Sequence, residues 1–184
     1  MKRILAICCF LLLSACVSTG ISKTTRMSDT GIHGLQHNSV LQKFTEMPTT
    51  VTAYGDNDTV NMLSIYVERY GGGNGYLYVS KSNADEYLVA IRKYLEWEQI
   101  ALQRKDLLNK EIATIDDEMG SSFRFTIWSG NKQQHLLYVE PVALGMSTGY
   151  GFYLDSNSAA GLKELIDRLA NASIRPQQHD LIYK

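Results

Sequence analysis

Apolar residues fall along this chain in three regimes. Residues 4–13 form one unbroken apolar run, and residues 17–50 scatter apolar side chains among Ser, Thr, Gly, Asn and Gln without a sustained period. From residue 51 onward, two-residue and 3.6-residue periods become clear. Leu63, Ile65 and Val67 alternate with polar neighbours over residues 60–70, and Leu77 and Val79 continue that face over residues 76–81. Two strands are predicted there, with residues 71–75, Gly-Gly-Gly-Asn-Gly, as the hairpin loop, because glycine tolerates the backbone angles of a tight reversal. Ser82-Asn83-Ala84-Asp85 fits a capping box opening a helix to about Leu108, with Leu88, Ile91, Leu95 and Leu102 on one stripe. Strands are expected at residues 111–115, 123–128, 134–142 and 150–154. Ser156 or Ser158 would then cap a helix to about Ala172, with Leu162, Leu165, Ile166 and Leu169 inward.

Runs of strands each followed by a helix predict an α+β fold, an antiparallel sheet built from hairpins with two amphipathic helices packed on it. The two helix entries superpose at an offset of 75 residues, Tyr78-Val79 on Tyr153-Leu154 and Ile91 on Ile166. That match leaves open a duplicated strand-strand-helix unit, or two capped helices that each happen to follow a strand. The expected organisation is a leader over residues 1–15, a flexible tether over 16–50, one domain over 51–173 and a tail over 174–184. A linker of the tether's length spans roughly 30 Å.

The first 16 residues combine Lys2 and Arg3, the apolar run and the small residues Ser14 and Ala15 before Cys16. This is the layout of a signal peptide, and the run is shorter than the ~20 residues a bilayer span requires. Leu13-Ser14-Ala15-Cys16 resembles the lipobox of bacterial lipoproteins, in which the cysteine becomes the lipidated first residue. The alternative is a plain secretory leader cleaved near Ala15, leaving Cys16 as a free thiol. Cys8 and Cys9 lie within the segment to be removed, so neither reading leaves a disulfide. The resemblance implies acyl chains on Cys16 and anchorage in a membrane. Val17 and Ser18 follow, with no Asp after the cysteine, which by analogy with enterobacterial lipoproteins implies the outer membrane, facing the periplasm.

The whole chain carries net charge −1, and losing Lys2 and Arg3 with the leader leaves 16 basic against 19 acidic side chains. Nucleic acid is therefore not an expected partner. Asp56-Asn57-Asp58-Thr59 has the letters of a haloacid-dehalogenase-like phosphatase motif, but no buried parallel strand precedes it, so an exposed turn is expected. His33 and His37 have the spacing of two metal ligands on a helix, yet Gly34 lies between them and further ligands are lacking. Asp116-Asp117-Glu118 lacks the alternating oxygens of a calcium loop. No nucleophile elbow or phosphate loop is found, and no cofactor and no metal is expected.

The remaining candidate is aromatic. With the loop at residues 71–75, Tyr70 would oppose Tyr76 and Glu68 would oppose Tyr78, so Tyr66, Tyr70, Tyr76 and Tyr78 would share the face away from Leu63. Such a face suits a glycan such as peptidoglycan, or a protein partner, unless the rings pack beneath a helix or second sheet. The leading expectation is a non-enzymatic accessory or assembly lipoprotein that docks to another envelope protein. Cell-wall glycan binding is the alternative, followed by a cell-wall enzyme with paired acids in a cleft.

Overall fold

A computed structural model describes residues 23–56 and 59–174, and in it the α+β, antiparallel expectation holds. Two sheets share one core. Strands β1 (Lys23–Met27), β4 (Thr49–Gly55), β5 (Val60–Glu68) and β6 (Asn74–Ser80) form the first, in the order β1-β4-β5-β6. The second has the order β3-β2-β11-β9-β8-β7, built from β2 (Gly34–Asn38), β3 (Lys43–Met47), β7 (Asn109–Asp116), β8 (Ser122–Asn131), β9 (Gln134–Ala143) and β11 (Phe152–Leu154). The two-residue β10 (Met146–Ser147) folds back on β9. Helices α1 (Ala84–Arg104) and α2 (Ser156–Ala170) pack on each other and on the sheets.

The tether expected over residues 16–50 is corrected from residue 23 onward. Lys23–Met27 pairs with β4, and β2 and β3 form one end of the larger sheet. The polar letters that suggested a linker are those of half-exposed strands. His37 and Glu46 point to solvent, while Ile32, Leu35 and Met47 are buried. A single residue, Pro48, lies between β3 and β4, and there the chain passes from one sheet to the other. Lacking an N–H, Pro48 loses no ladder bond at this corner, and its carbonyl accepts from the Glu68 amide at 3.0 Å.

Leu63, Ile65, Val67, Leu77 and Val79 are completely buried, in one cluster with Tyr87, Ile91 and Tyr94 of α1, Leu162 and Ile166 of α2, and Phe123, Phe125 and Ile127 of β8. The predicted stripe of α1 is rotated. Leu88 and Ile91 are buried as expected, but the inward face continues through Tyr87, Tyr94, Glu98 and Ala101, while Leu95 and Leu102 are only half-buried. Ser82 does not cap the helix but reaches Glu118. Instead Asn83 Oδ1 accepts from the Ser80 amide at 3.1 Å, closing the short 3-10 turn that leads into α1. The helix stops four residues before the expected Leu108, where Lys105 turns left-handed and the Asp106 amide bonds back to Ala101. At α2 the cap is Asp155, whose carboxylate accepts from the Ser158 amide at 2.8 Å, displacing both predicted serines. The two strand-then-helix units occupy unlike places: among the described residues β6 is an edge bonded to β5 alone, whereas β11 lies between β2 and β9.

Two glycines allow close contact between the sheets. A methyl at Gly34 of β2 would overlap the Val67 side chain of β5, and one at Gly75 of β6 would lie 2.9 Å from the Phe152 ring of β11. Gly34→Ala is expected to lower stability by about 1–3 kcal/mol through overpacking. Adding Val67→Ala should recover part of that loss. Urea unfolding of the two single variants and the double variant measures the coupling, and purely additive losses would contradict the contact.

Candidate functional site

The observed register moves the hairpin turn toward the N-terminus. Tyr66 opposes Tyr76, Ser64 opposes Tyr78 and Glu68 opposes Asn74, so the turn is residues 69–73. A four-residue shift in pairing preserves the faces, and Tyr66, Tyr76 and Tyr78 lie together as expected. Tyr70 does not join them. It stands in the turn, 50% exposed, with its amide donating to Gln36 Oε1 at 2.7 Å.

The three grouped rings are half-buried, neither open nor sealed. Tyr66 and Tyr78 are joined through their hydroxyls and stand edge to face, with centroids 6.0 Å apart. Tyr76 and Tyr78 both lean on Phe123 of the second sheet, at 5.8 and 6.3 Å. Beneath them Ser64 is completely buried, its hydroxyl 3.4 Å from that of Tyr54. Burial, and then the bond to Tyr66, push the Tyr78 phenol well above the ordinary tyrosine range. Rings engaged edge-on with one another and with Phe123 offer less free face for stacking than an open platform.

A second aromatic group, absent from the sequence reading, lies on the larger sheet opposite the helices. Phe44, Trp128, Tyr138 and Tyr153 are half-buried and out of phase with the core residues of their strands. Phe44 on β3 and Trp128 on β8 sit four strands apart, a separation of roughly 19 Å in a flat sheet. Their rings are nevertheless 5.3 Å apart, and Tyr153 touches both at 4.9 and 5.5 Å. This face is therefore concave, and the aromatics fill it as a small second core over Leu35 and Leu136. Aromatic residues alternating out of register with the buried set were the available signal. At one margin of this face Arg124 bridges Glu140 at 3.3 Å and Glu111 at 3.4 Å. Burial, then the Glu140 charge, push the Tyr138 phenol up to about 12.

The most exposed apolar surface lies where two loops meet. The Arg69 guanidinium donates to the Gly149 carbonyl at 2.5 Å and lies 5.7 Å from the centre of the Tyr150 ring. Gly73, in the same turn as Tyr70, packs against Tyr150, which is 46% exposed. Leu144, in the turn between β9 and β10, is 97% exposed, and Met146, at the start of β10, is 67% exposed.

Other sequence candidates have structural occupations. Asp117 Oδ1 accepts from the Met119 and Ser121 amides, Asp116 accepts from Ser122, and Glu118 meets Ser82, so these acids fasten a turn. His33 is exposed and its amide donates to Ser158, while His37 sits on β2 against Phe44. Among the described residues no group of three His, Cys, Asp or Glu is arranged for a metal, and no helix is long and apolar enough to cross a membrane. Asp56 lies in the β4–β5 turn, its amide bonded to the Thr59 carbonyl, while Asn57, Asp58 and Cys16 fall outside the described residues. No protein-family model matches the chain, and no curated protein matches it.

The raised Tyr138 phenol carries a pH signature. The folded chain keeps this proton to a higher pH than the unfolded chain does, so stability from this group is complete below about pH 10 and is lost as pH rises through about 12. Tyr138→Phe is expected to flatten that alkaline loss, as read from denaturant midpoints across the range. An unchanged pH dependence would show that the phenol titrates freely.

Proposed function

We propose that this protein is a lipid-anchored component of a bacterial envelope, held in the outer membrane through Cys16 and facing the periplasm, where it acts without catalysis by docking to another envelope protein. The observation that carries the reading is the basic start, apolar run and Leu13-Ser14-Ala15-Cys16 of the N-terminus. Docking is supported by exposed Tyr70 and Tyr150, whose loops meet through Gly73 and Arg69, and by exposed Leu144 and Met146 at the preceding β9–β10 turn, since aromatic residues and Met are enriched where proteins meet. Sheet extension is a less suitable mode. The free edges of the larger sheet carry exposed Lys43 and Glu46 on β3 and exposed Lys110 and Glu111 on β7, charges that discourage strand addition.

The fold also limits the reach of the anchor. Residues 17–22 link Cys16 to β1 across at most about 25 Å, so the domain works close to the bilayer. A partner would itself be in the membrane or lie just above it.

Cys16→Ser in the full-length chain is expected to abolish acyl labelling and move the protein out of the membrane fraction. Unchanged labelling and sedimentation would defeat the anchor. For docking, a photo-crosslinking residue at Tyr70 or Tyr150 should yield one discrete adduct in intact cells, absent with the same group at exposed Glu164. Equal adducts at all three positions would remove the surface assignment. Co-sedimentation with cell-wall sacculi that is lost in a folded Tyr66→Ala/Tyr78→Ala variant would instead transfer the function to glycan binding.

A further inference from the structure

Where α1 ends and the chain returns as β7, the two elements border a cavity of about 200 Å3. Trp97 and Ile100 of α1, Leu108 ahead of β7 and Lys110 on β7 form its wall, together with Asp106. Trp97 and Leu108 are half-buried, Ile100 is 43% exposed, and Leu107, between two lining residues, is 63% exposed. The wall is therefore largely apolar and open to solvent.

The charges at its mouth are not balanced. The ammonium nitrogens of Lys93 and Lys110 each lie 4.8 Å from the centre of the Trp97 ring, and neither is ion-paired among the described residues. An indole face attracts a cation, yet two ammonium groups gathered at one ring repel each other. Lys93 donates to the Ile112 carbonyl at 3.5 Å, and an ammonium has further protons to give. The acid in the wall is already taken: Asp106 is held by Arg104 Nε at 2.9 Å. An apolar hollow thus stands beside two cations that lack a carboxylate.

We propose that this cavity docks an acidic peptide segment of a partner protein, which seats one leucine-like side chain against Trp97, Ile100 and Leu108 and sets carboxylates beside Lys93 and Lys110. The volume is below the roughly 300–1,000 Å3 of small-molecule sites and suits one apolar side chain. Carboxylates flanking that side chain supply the counter-charge that both lysines lack. Recognition runs through side chains, because exposed Lys110 and Glu111 on the edge of β7 discourage strand addition. The site shares no residue with the loops of Tyr70 and Tyr150 and needs no lipid anchor.

The test is titration of the full-length chain in detergent, in a Trp128→Phe background that leaves Trp97 as the one tryptophan. The probes are the capped pentapeptides Glu-Glu-Leu-Glu-Glu, Glu-Glu-Gly-Glu-Glu and Lys-Lys-Leu-Lys-Lys. The first is expected to bind saturably and to shift the Trp97 emission, and each of the others to bind at least about tenfold more weakly, the scale of one lost leucine burial or two lost charge pairs. Lys93→Gln/Lys110→Gln should weaken the first peptide about tenfold and Ile100→Ser severalfold, while exposed Lys132→Gln leaves it unchanged. Calorimetry on the unsubstituted chain serves if Trp128→Phe does not fold. Absence of saturable binding, equal binding of either control peptide, or unaltered affinity in the double lysine variant or in Ile100→Ser would overturn the proposal. So would phosphatidylglycerol added to the micelles, if it moves the Trp97 emission where the peptide does not, since the ligand would then be a lipid surface.

Discussion

A reciprocal glycine contact joins the two sheets. Gly34 lies under Val67, and Gly75, the cross-strand partner of Val67, lies under Phe152. The two partners on the larger sheet come from β2 and β11, which are themselves neighbours. Each sheet therefore contributes one glycine and one bulky side chain to a reciprocal joint. Helices α1 and α2 pack on each other beside it. Pro48 can then carry the chain between sheets in a single residue.

The molecule also has aromatic groups outside its main core. On the hairpin β5–β6 the tyrosines lie on the face away from that joint, yet β6 is at the edge of its sheet, and there Tyr76 and Tyr78 reach Phe123 of the larger sheet. On the larger sheet, curvature brings Phe44 to Trp128 across four strand spacings. The rings between them close a depression that no helix covers. Aromatic side chains suit this work because edge-to-face contacts stabilise them with only partial burial, and the phenol oxygens keep a polar outlet. A polar pocket nearby is lined by buried Glu98 from within α1 and by Asp155 and Ser156 at the start of α2.

Strands and helices after residue 60 were legible because their core residues repeat without interruption. Leu63, Ile65, Val67, Leu77 and Val79 occupy the predicted face, and so do Leu162, Leu165, Ile166 and Leu169. The segment from Lys23 to Thr50 was not legible, since β1 to β3 are short, and their burial depends on partners distant in sequence, such as β4 and β11. Caps shifted by one to three residues because Asn83 and Asp155 compete with the nearby serines, and local letters do not rank them. Tyr70 was misplaced by the position of the turn, whereas Tyr66, Tyr76 and Tyr78 were correctly grouped because an even register shift keeps side chains on their face. Glu98 was hidden for another reason: a charged residue on an amphipathic helix reads as solvent-facing, and only the fold shows it turned inward.

The edge position of β1 has a mechanical meaning. Among the described residues this strand pairs with β4 alone, through five residue pairs from Lys23 opposite Gly55 to Met27 opposite Val51. Any load entering through the N-terminus reaches that ladder before the core. Tension across the sheet opens its pairs one after another, like a zipper, whereas tension along the strand must shear all of them together. The larger sheet and both helices lie behind this first ladder. A pull that strips β1 therefore releases its five residues as free chain before it strains the joint at Gly34.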